Sequence, residues 1–148
     1  MLTFVTGDMF SWGAPAAIAH GCNCAGIMGA GVADRVRRRF PLAYAEYRDL
    51  CLKREFKLGD VHRWTDGVRT VFNLATQHRP GPFAQLAAIE TSVIEMVRLA
   101  HEQQIYEIAM PRIGCGIGRL QWDDVRPVLE DVCGDASHVR VVVYDLPR

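Results

Sequence analysis

Three glycines stand within five residues at Gly114-Cys115-Gly116-Ile117-Gly118. Glycine tolerates positive φ and lets the backbone approach a ligand closely. Successive amide hydrogens in such a loop form a concave nest that suits a phosphate or a diphosphate. Arg112 or Arg119 can add charge to it. The same residues serve equally well as a plain flexible turn, because glycine spacing alone is a weak motif. A second small-residue stretch, Met28-Gly29-Ala30-Gly31, runs into a helix. A helix start offers unpaired amides and a positive dipole end to an anion, or simply makes a tight strand-to-helix turn. No Gly-Lys-Ser/Thr follows and no GxGxxG occurs, so neither stretch is a nucleotide loop of those kinds. Two such loops on one sheet edge suggest a diphosphate held from both sides.

Other polar residues are placed to act nearby. Asp8, just after Thr6-Gly7, can accept a hydrogen bond from an adenine amino group, although turns and helix caps use aspartate here more often. Thr76-Gln77-His78-Arg79 forms a polar run at a strand end, where Gln77 can position a water or a ribose hydroxyl; a solvated loop is the plainer reading. His20, Cys22 and Cys24 lie two apart and share a face of an extended segment. A structural zinc needs four ligands and no second cluster accompanies them, so small buried cysteines are the better account and no metal is expected. Trp12, Trp64 and Trp122 receive no role.

The elements that must position these groups alternate. Leu2 to Val5 reads as a short strand, and Ala14 to His20 as a second that stops at Gly21. Val32, Val36 and Phe40 recur every four residues, as on an amphipathic helix with Arg35 and Arg37 to Arg39 turned outward. Pro41 closes it, and Leu42 to Leu52 is a further helix. Asp60 to Trp64 and Thr70 to Ala75 form a hairpin about Asp66-Gly67. The longest helix is expected over Phe83 to His101, followed by a strand from Ile105 to Met110. The last helix is expected from Asp123 or Asp124, with Pro127 in its first turn, and Val139 to Tyr144 closes the sheet. This order predicts a three-layer α/β/α domain on a mixed, mostly parallel sheet of about six strands, one domain over 1–148. Ligands of such folds sit at the carboxyl ends of the strands, from which both glycine loops leave.

Composition sets the outer limits. The 148 residues are 49% hydrophobic and 23% charged, with seventeen basic residues against seventeen acidic ones. Zero net charge gives no general attraction to nucleic acid or anionic membrane, so any phosphate site must be local. No apolar run approaches the roughly 20 residues that span a bilayer. Five cysteines without a CxxC pair favour reduced thiols, and hence a cytoplasmic protein. The size and charge are compatible with a monomer.

From Thr6-Gly7-Asp8 to Tyr144 the chain resembles the macrodomain family. The most specific stretch runs from Met110 to Asp124, with Ala19-His20 and Met28-Gly-Ala-Gly-Val-Ala33 in support. These are similar to the branch that contains the terminal ADP-ribose protein glycohydrolase and its bacterial relatives. The resemblance implies an ADP-ribose cleft without a cofactor. Asp8 would meet the adenine amino group, with the Met9 backbone beside it. Asn23, Gly29, Ala30, Gly31 and Val32 would approach the distal ribose and diphosphate. Ile113, Gly114, Cys115, Gly116 and Ile117 would wrap the diphosphate from the other side, with Thr76 nearby and Tyr144 bordering the adenine or proximal ribose. The family's catalytic lysine and aspartate positions are occupied by Gln77 and Gly118, and neither can act as amine nucleophile or base. The expected activity is therefore water-based hydrolysis of mono-ADP-ribose from acidic side chains or a related linkage, with Gln77, Asn23 or His20 orienting the water. A silent ADP-ribose reader and an O-acetyl-ADP-ribose deacetylase are the alternatives. The partners implied are ADP-ribose or an ADP-ribosylated protein, with nucleic acid only if it carries ADP-ribose, and no membrane.

Overall fold

The computed structural model describes residues 1–134 and 137–146. Six strands form one sheet: β1 (Leu2–Thr6), β2 (Ala17–Asn23), β3 (Val61–Thr65), β4 (Thr70–Gln77), β5 (Glu107–Pro111) and β6 (Arg140–Asp145). Their order is β1-β6-β5-β2-β4-β3, with every pairing parallel except that of β3 with β4. Helices α1 (Gly31–Arg39) and α2 (Pro41–Leu52) cover one face, and α3 (Leu86–Glu102) and α4 (Trp122–Val132) the other. This is the three-layer α/β/α arrangement on a mixed sheet that the alternation of elements predicts.

Strand alternation divides the core into two. Ala17, Ala19, Phe72, Leu74, Ile108 and Met110 pack against Ile89, Val93 and Met96 of α3 and against Val125 and Leu129 of α4. Ile18, Cys22, Val71 and Ala75 face Val36 of α1 and Ala43 and Tyr47 of α2. Both sheet faces are covered, so the central strands read as nearly continuous apolar runs.

Three boundaries and one side-chain orientation depart from the sequence reading for a tertiary reason. β2 continues through Gly21 to Asn23. Gly21 is needed there for close packing and not for a turn, since an added Cβ would lie 2.8 Å from Thr76 Oγ1. α3 begins at Leu86 and not at Phe83, because the Phe83 amide bonds the Gly81 carbonyl and the Gln85 amide bonds the Thr76 carbonyl. α4 begins at Trp122, whose ring meets Phe4 edge-on, so Pro127 is its sixth residue and lies beyond the first turn. Arg35 is not turned away to solvent; it bonds Asp8.

Candidate functional site

The carboxyl ends of β2, β4, β5 and β6 open into one cleft of about 950 Å³, within the range that holds a nucleotide-sized ligand. Every residue assigned to binding from the sequence lines it: Asp8, Met9, Asn23, Gly29, Ala30, Gly31, Val32, Thr76, Ile113, Gly114, Cys115, Gly116, Ile117 and Tyr144. His20 and Gln77 line it as well.

The first loop leaves β2 and delivers the start of α1. No side chain caps that helix, and the amides of Gly29, Ala30, Gly31, Val32 and Ala33 find no acceptor among the described residues. Unpaired amides at a helix start call for an outside acceptor. The second loop leaves β5 and is braced by bonds from the Cys115 amide to the Arg112 carbonyl and from the Leu120 amide to the Gly114 carbonyl. Its Gly116, Ile117 and Gly118 amides likewise find no acceptor among the described residues. The loops meet over the cleft, where a Cβ on Gly31 would sit 3.6 Å from Ile117 Cδ1.

The glycines of the second loop have separate reasons. Gly114 holds φ +78° with Ile89 and Leu120 packed against it, a conformation that a side chain would strain. Gly118 has no room, because a Cβ would lie 2.5 Å from Ala84 Cβ and 2.8 Å from the Gly114 carbonyl oxygen. Gly116 has neither constraint: nothing lies within 4 Å of its would-be Cβ. Gly29 is similarly open, meeting only Ile27 at 3.8 Å. Folding does not demand glycine at these two positions, and both face the cleft.

The polar side chains divide by what they already hold. Asp8 accepts from the Phe10 amide at 2.9 Å and from Arg35 at 2.7 Å. The Arg35 guanidinium, and then the Phe10 amide, keep its carboxyl below the usual carboxylate range. An ionised, half-exposed acceptor therefore stands at one end of the cleft, beside a Met9 amide without a partner among the described residues. Asn23 organises its own loop: Oδ1 accepts from the Ala25 and Ile27 amides, and Nδ2 donates to the Ile27 carbonyl. Tyr47 Oη braces it further, 2.7 Å from the Asn23 carbonyl oxygen. Thr76 is buried, with its hydroxyl 3.4 Å from the Cys22 carbonyl oxygen.

Gln77 is aimed by a bulge. Cys22 pairs with Ala75 but Asn23 pairs with Gln77, so Thr76 is the extra residue on β4. Gln77 Nε2 donates to the Arg79 and Gly81 carbonyls at 2.7 and 2.9 Å. Its Oε1 is left facing Gly118, 3.2 Å from where a Cβ would be. This amide can accept a hydrogen bond from a water in the cleft but has no free N–H to spend.

His20 lies beneath the floor, 1% exposed, and heads a buried polar ladder across three strands. Its Nε2 donates to Asn73 Oδ1 at 2.6 Å, Asn73 Nδ2 donates to His62 Nδ1 at 3.0 Å, and His62 Nε2 donates to Glu46 at 3.0 Å. The Glu46 carboxylate accepts only, which sets the sense of the whole chain. Burial pushes the His20 imidazole down from 6.5 to about 4, against the opposing bond to Asn73. A neutral, engaged ring is a structural histidine, and the water-orienting role assigned to it does not fit this position.

A stability prediction follows from His20. Its folded-state value is depressed, so the unfolded chain takes up a proton first as the pH falls. The contribution is complete above about pH 6.5 and is lost towards pH 4, on the order of 3 kcal/mol in all. Urea midpoints should fall over that interval, and His20→Gln should start less stable at neutral pH but lose less on acidification. Equal acid sensitivity in both proteins would remove His20 as the cause.

The thiols offer no nucleophile. Burial raises Cys22 and Cys115, and raises Cys24 to about 11, so all three stay protonated at neutral pH. Cys22 Sγ lies 3.5 Å from His20 Nε2, as in a packed interior.

Three groups at the cleft escaped the sequence reading. Arg35 lies three residues after Val32 on one helix, a spacing that signals a shared face. Trp122 also lines the cleft, and Arg112 reaches over its ring while lying 3.2 Å from Asp145. The loop at Pro80 and Gly81 forms a further wall. No local pattern marks these last two.

Two glycine loops facing each other at the ends of a β1-β6-β5-β2-β4-β3 sheet define the class, and a family model confirms it. The chain belongs to the Macro domain family, whose model matches residues 19–129. The macrodomain of Mycobacterium tuberculosis DarG superposes with a TM-score of 0.88 at 28% identity, covering 100% of this chain and 99% of that one. The Mycobacterium tuberculosis protein named DNA ADP-ribosyl glycohydrolase is 29% identical over 148 residues, 97% of this chain but 42% of its own length. The chain thus spans less than half of that relative. The Homo sapiens protein named ADP-ribose glycohydrolase OARD1 is 29% identical over 145 residues, 98% of this chain and 91% of its own.

Proposed function

We propose that this protein holds ADP-ribose in the cleft and hydrolyses mono-ADP-ribose from modified acidic side chains, using water in place of a lysine nucleophile. The observation that carries the binding step is the pair of open glycines, Gly29 and Gly116, each with an uncommitted amide facing the cleft. A diphosphate between them supplies acceptors to both loops, Asp8 accepts from the adenine amino group, and Tyr144 borders that end. The distal ribose then lies towards Asn23 and Gln77.

Chemistry favours an ester. A carboxylate is a good leaving group, so a positioned water suffices where a poorer leaving group would need covalent catalysis. Gln77 Oε1 is the acceptor that orients the water, and the substrate's own phosphate or solvent takes its proton. The glycohydrolase names of the relatives support hydrolysis; the DNA linkage in one of them becomes an arm of the test. Five free cysteines fit a reducing compartment such as the cytoplasm.

Release of ADP-ribose from a glutamate-modified protein is the assay. Gln77→Ala should lower the rate at least roughly tenfold and leave ADP-ribose affinity within about twofold. An unchanged rate would remove Gln77 from the mechanism. Binding without release from ester, arginine or DNA linkages would make the protein a reader, a role favoured by the absence of the lysine.

A further inference from the structure

Beyond Gln77 the cleft is bounded by a short loop built around one aromatic ring. The Arg79 guanidinium lies 4.0 Å from the centre of the Phe83 ring. Gly81 packs against the same ring, since a Cβ there would lie 3.0 Å from Phe83 Cε2. Pro80 and Pro82 restrict the backbone between them. The carbonyls of Arg79 and Gly81 are the two acceptors of Gln77 Nε2. One loop therefore fixes both the amide that faces the cleft and, through the contact with Phe83, a cation one residue from the cleft-lining Pro80.

That cation is unspent. Arg35 is paired with Asp8 and Arg112 with Asp145, whereas the exposed Arg79 side chain meets no carboxylate among the described residues. A guanidinium held over a ring is partly ordered and still has N–H groups to offer a carboxylate. It stands one residue before Pro80, which lines the cleft beside Gln77.

Resting on the ester reading above, we propose that Arg79 is the leaving-group residue: its guanidinium meets the acyl oxygens on the acceptor side of the scissile bond, where the carboxylate forms as the bond breaks. In this step the water oxygen bonds the anomeric carbon of the distal ribose. The bond from that carbon to the acyl oxygen breaks, and its electron pair leaves on the acceptor carboxylate. The water's proton passes to a ligand phosphate oxygen or to solvent. Negative charge grows on the departing carboxylate, so a fixed cation there binds the transition state more tightly than the ground state. Leaving-group stabilisation takes the place of the nucleophile that Gln77 cannot provide, and it selects acidic side chains over neutral acceptors.

Arg79→Ala removes the cation but keeps the backbone carbonyl that Gln77 uses. On an ADP-ribosyl-glutamate peptide it should lower kcat at least roughly tenfold, while the Kd for free ADP-ribose stays within about twofold. Arg79→Lys should recover part of the rate, and across carboxylate esters of rising basicity the Arg79→Ala rates should fall more steeply than those of the wild type. A kcat equal to the wild type, or a matching loss of affinity for free ADP-ribose, overturns the assignment. If the wild type binds ADP-ribose but releases none, the hydrolase reading fails and the leaving-group assignment falls with it, whereas release by the wild type with an unaltered Arg79→Ala kcat overturns the assignment alone.

Discussion

Gly116→Glu should fold normally and lose ADP-ribose binding. Gly116 is exposed, its φ is not positive, and nothing lies within 4 Å of a Cβ added to it, so the new side chain strains nothing. Its carboxylate would instead enter the cleft among amides that, on the proposed function, belong to the diphosphate. Like charges brought together at a binding site cost several kcal/mol, which corresponds to a loss of roughly 100-fold or more. The measurement is a pair: a thermal melt within a few degrees of the wild type, and calorimetric titration with ADP-ribose showing no saturation. Wild-type affinity in this variant would take the second loop out of the site. A collapsed melt would instead show that Gly116 has a folding role the packing does not reveal.

Gly118→Asp should fail in the opposite way. It restores the carboxylate that the family resemblance places there, yet the backbone has closed over the space. The Cβ alone would stand 2.5 Å from Ala84 Cβ and 2.8 Å from the Gly114 carbonyl oxygen, and Gln77 Oε1 lies 3.2 Å away. Ala84 cannot retreat easily, since its amide bonds the Gly118 carbonyl itself. Overpacking of this kind costs roughly 1–3 kcal/mol, and the buried approach of a carboxylate to a carbonyl adds to it. Denaturant midpoints should fall accordingly, with no gain in hydrolysis. A stable variant with faster release would show that the loop can open and that this branch lacks only the acid. Gln77 and Gly118 therefore depart together: the amide oxygen occupies the approach that an aspartate would need.

The sequence made much of this legible, and unevenly. Glycines in two clusters, on a chain whose strands and helices alternate, were enough to place both loops at one sheet edge. Local signals found the Asp66-Gly67 turn, and the four-residue spacing of Val32, Val36 and Phe40 found α1. The errors fall where a distant contact overrides a local preference. Gly21 looks like a stop until Thr76 is packed against it, and Phe83 looks helical until its amide turns back to the Gly81 carbonyl. Pro127 suits a first turn, but Trp122 starts the helix earlier by packing on Phe4. The functional side chains show the same limit. Gln77 stands in a polar run at a strand end and the family resemblance adds Asn23 and His20 as water-orienting candidates, yet their partners are the Ile27, Arg79 and Gly81 carbonyls and a ladder reaching Glu46. Residue type and spacing locate a site; hydrogen bonds to distant backbone decide which of its members are free to act.

The central claim is that the two loops hold the diphosphate of ADP-ribose, and calorimetric titration of the wild-type protein with free ADP-ribose tests it most directly. Saturable binding at one site per chain, lost in Gly116→Glu, is the expected result. An absence of binding by the folded wild-type protein, or binding that Gly116→Glu leaves untouched, would contradict it.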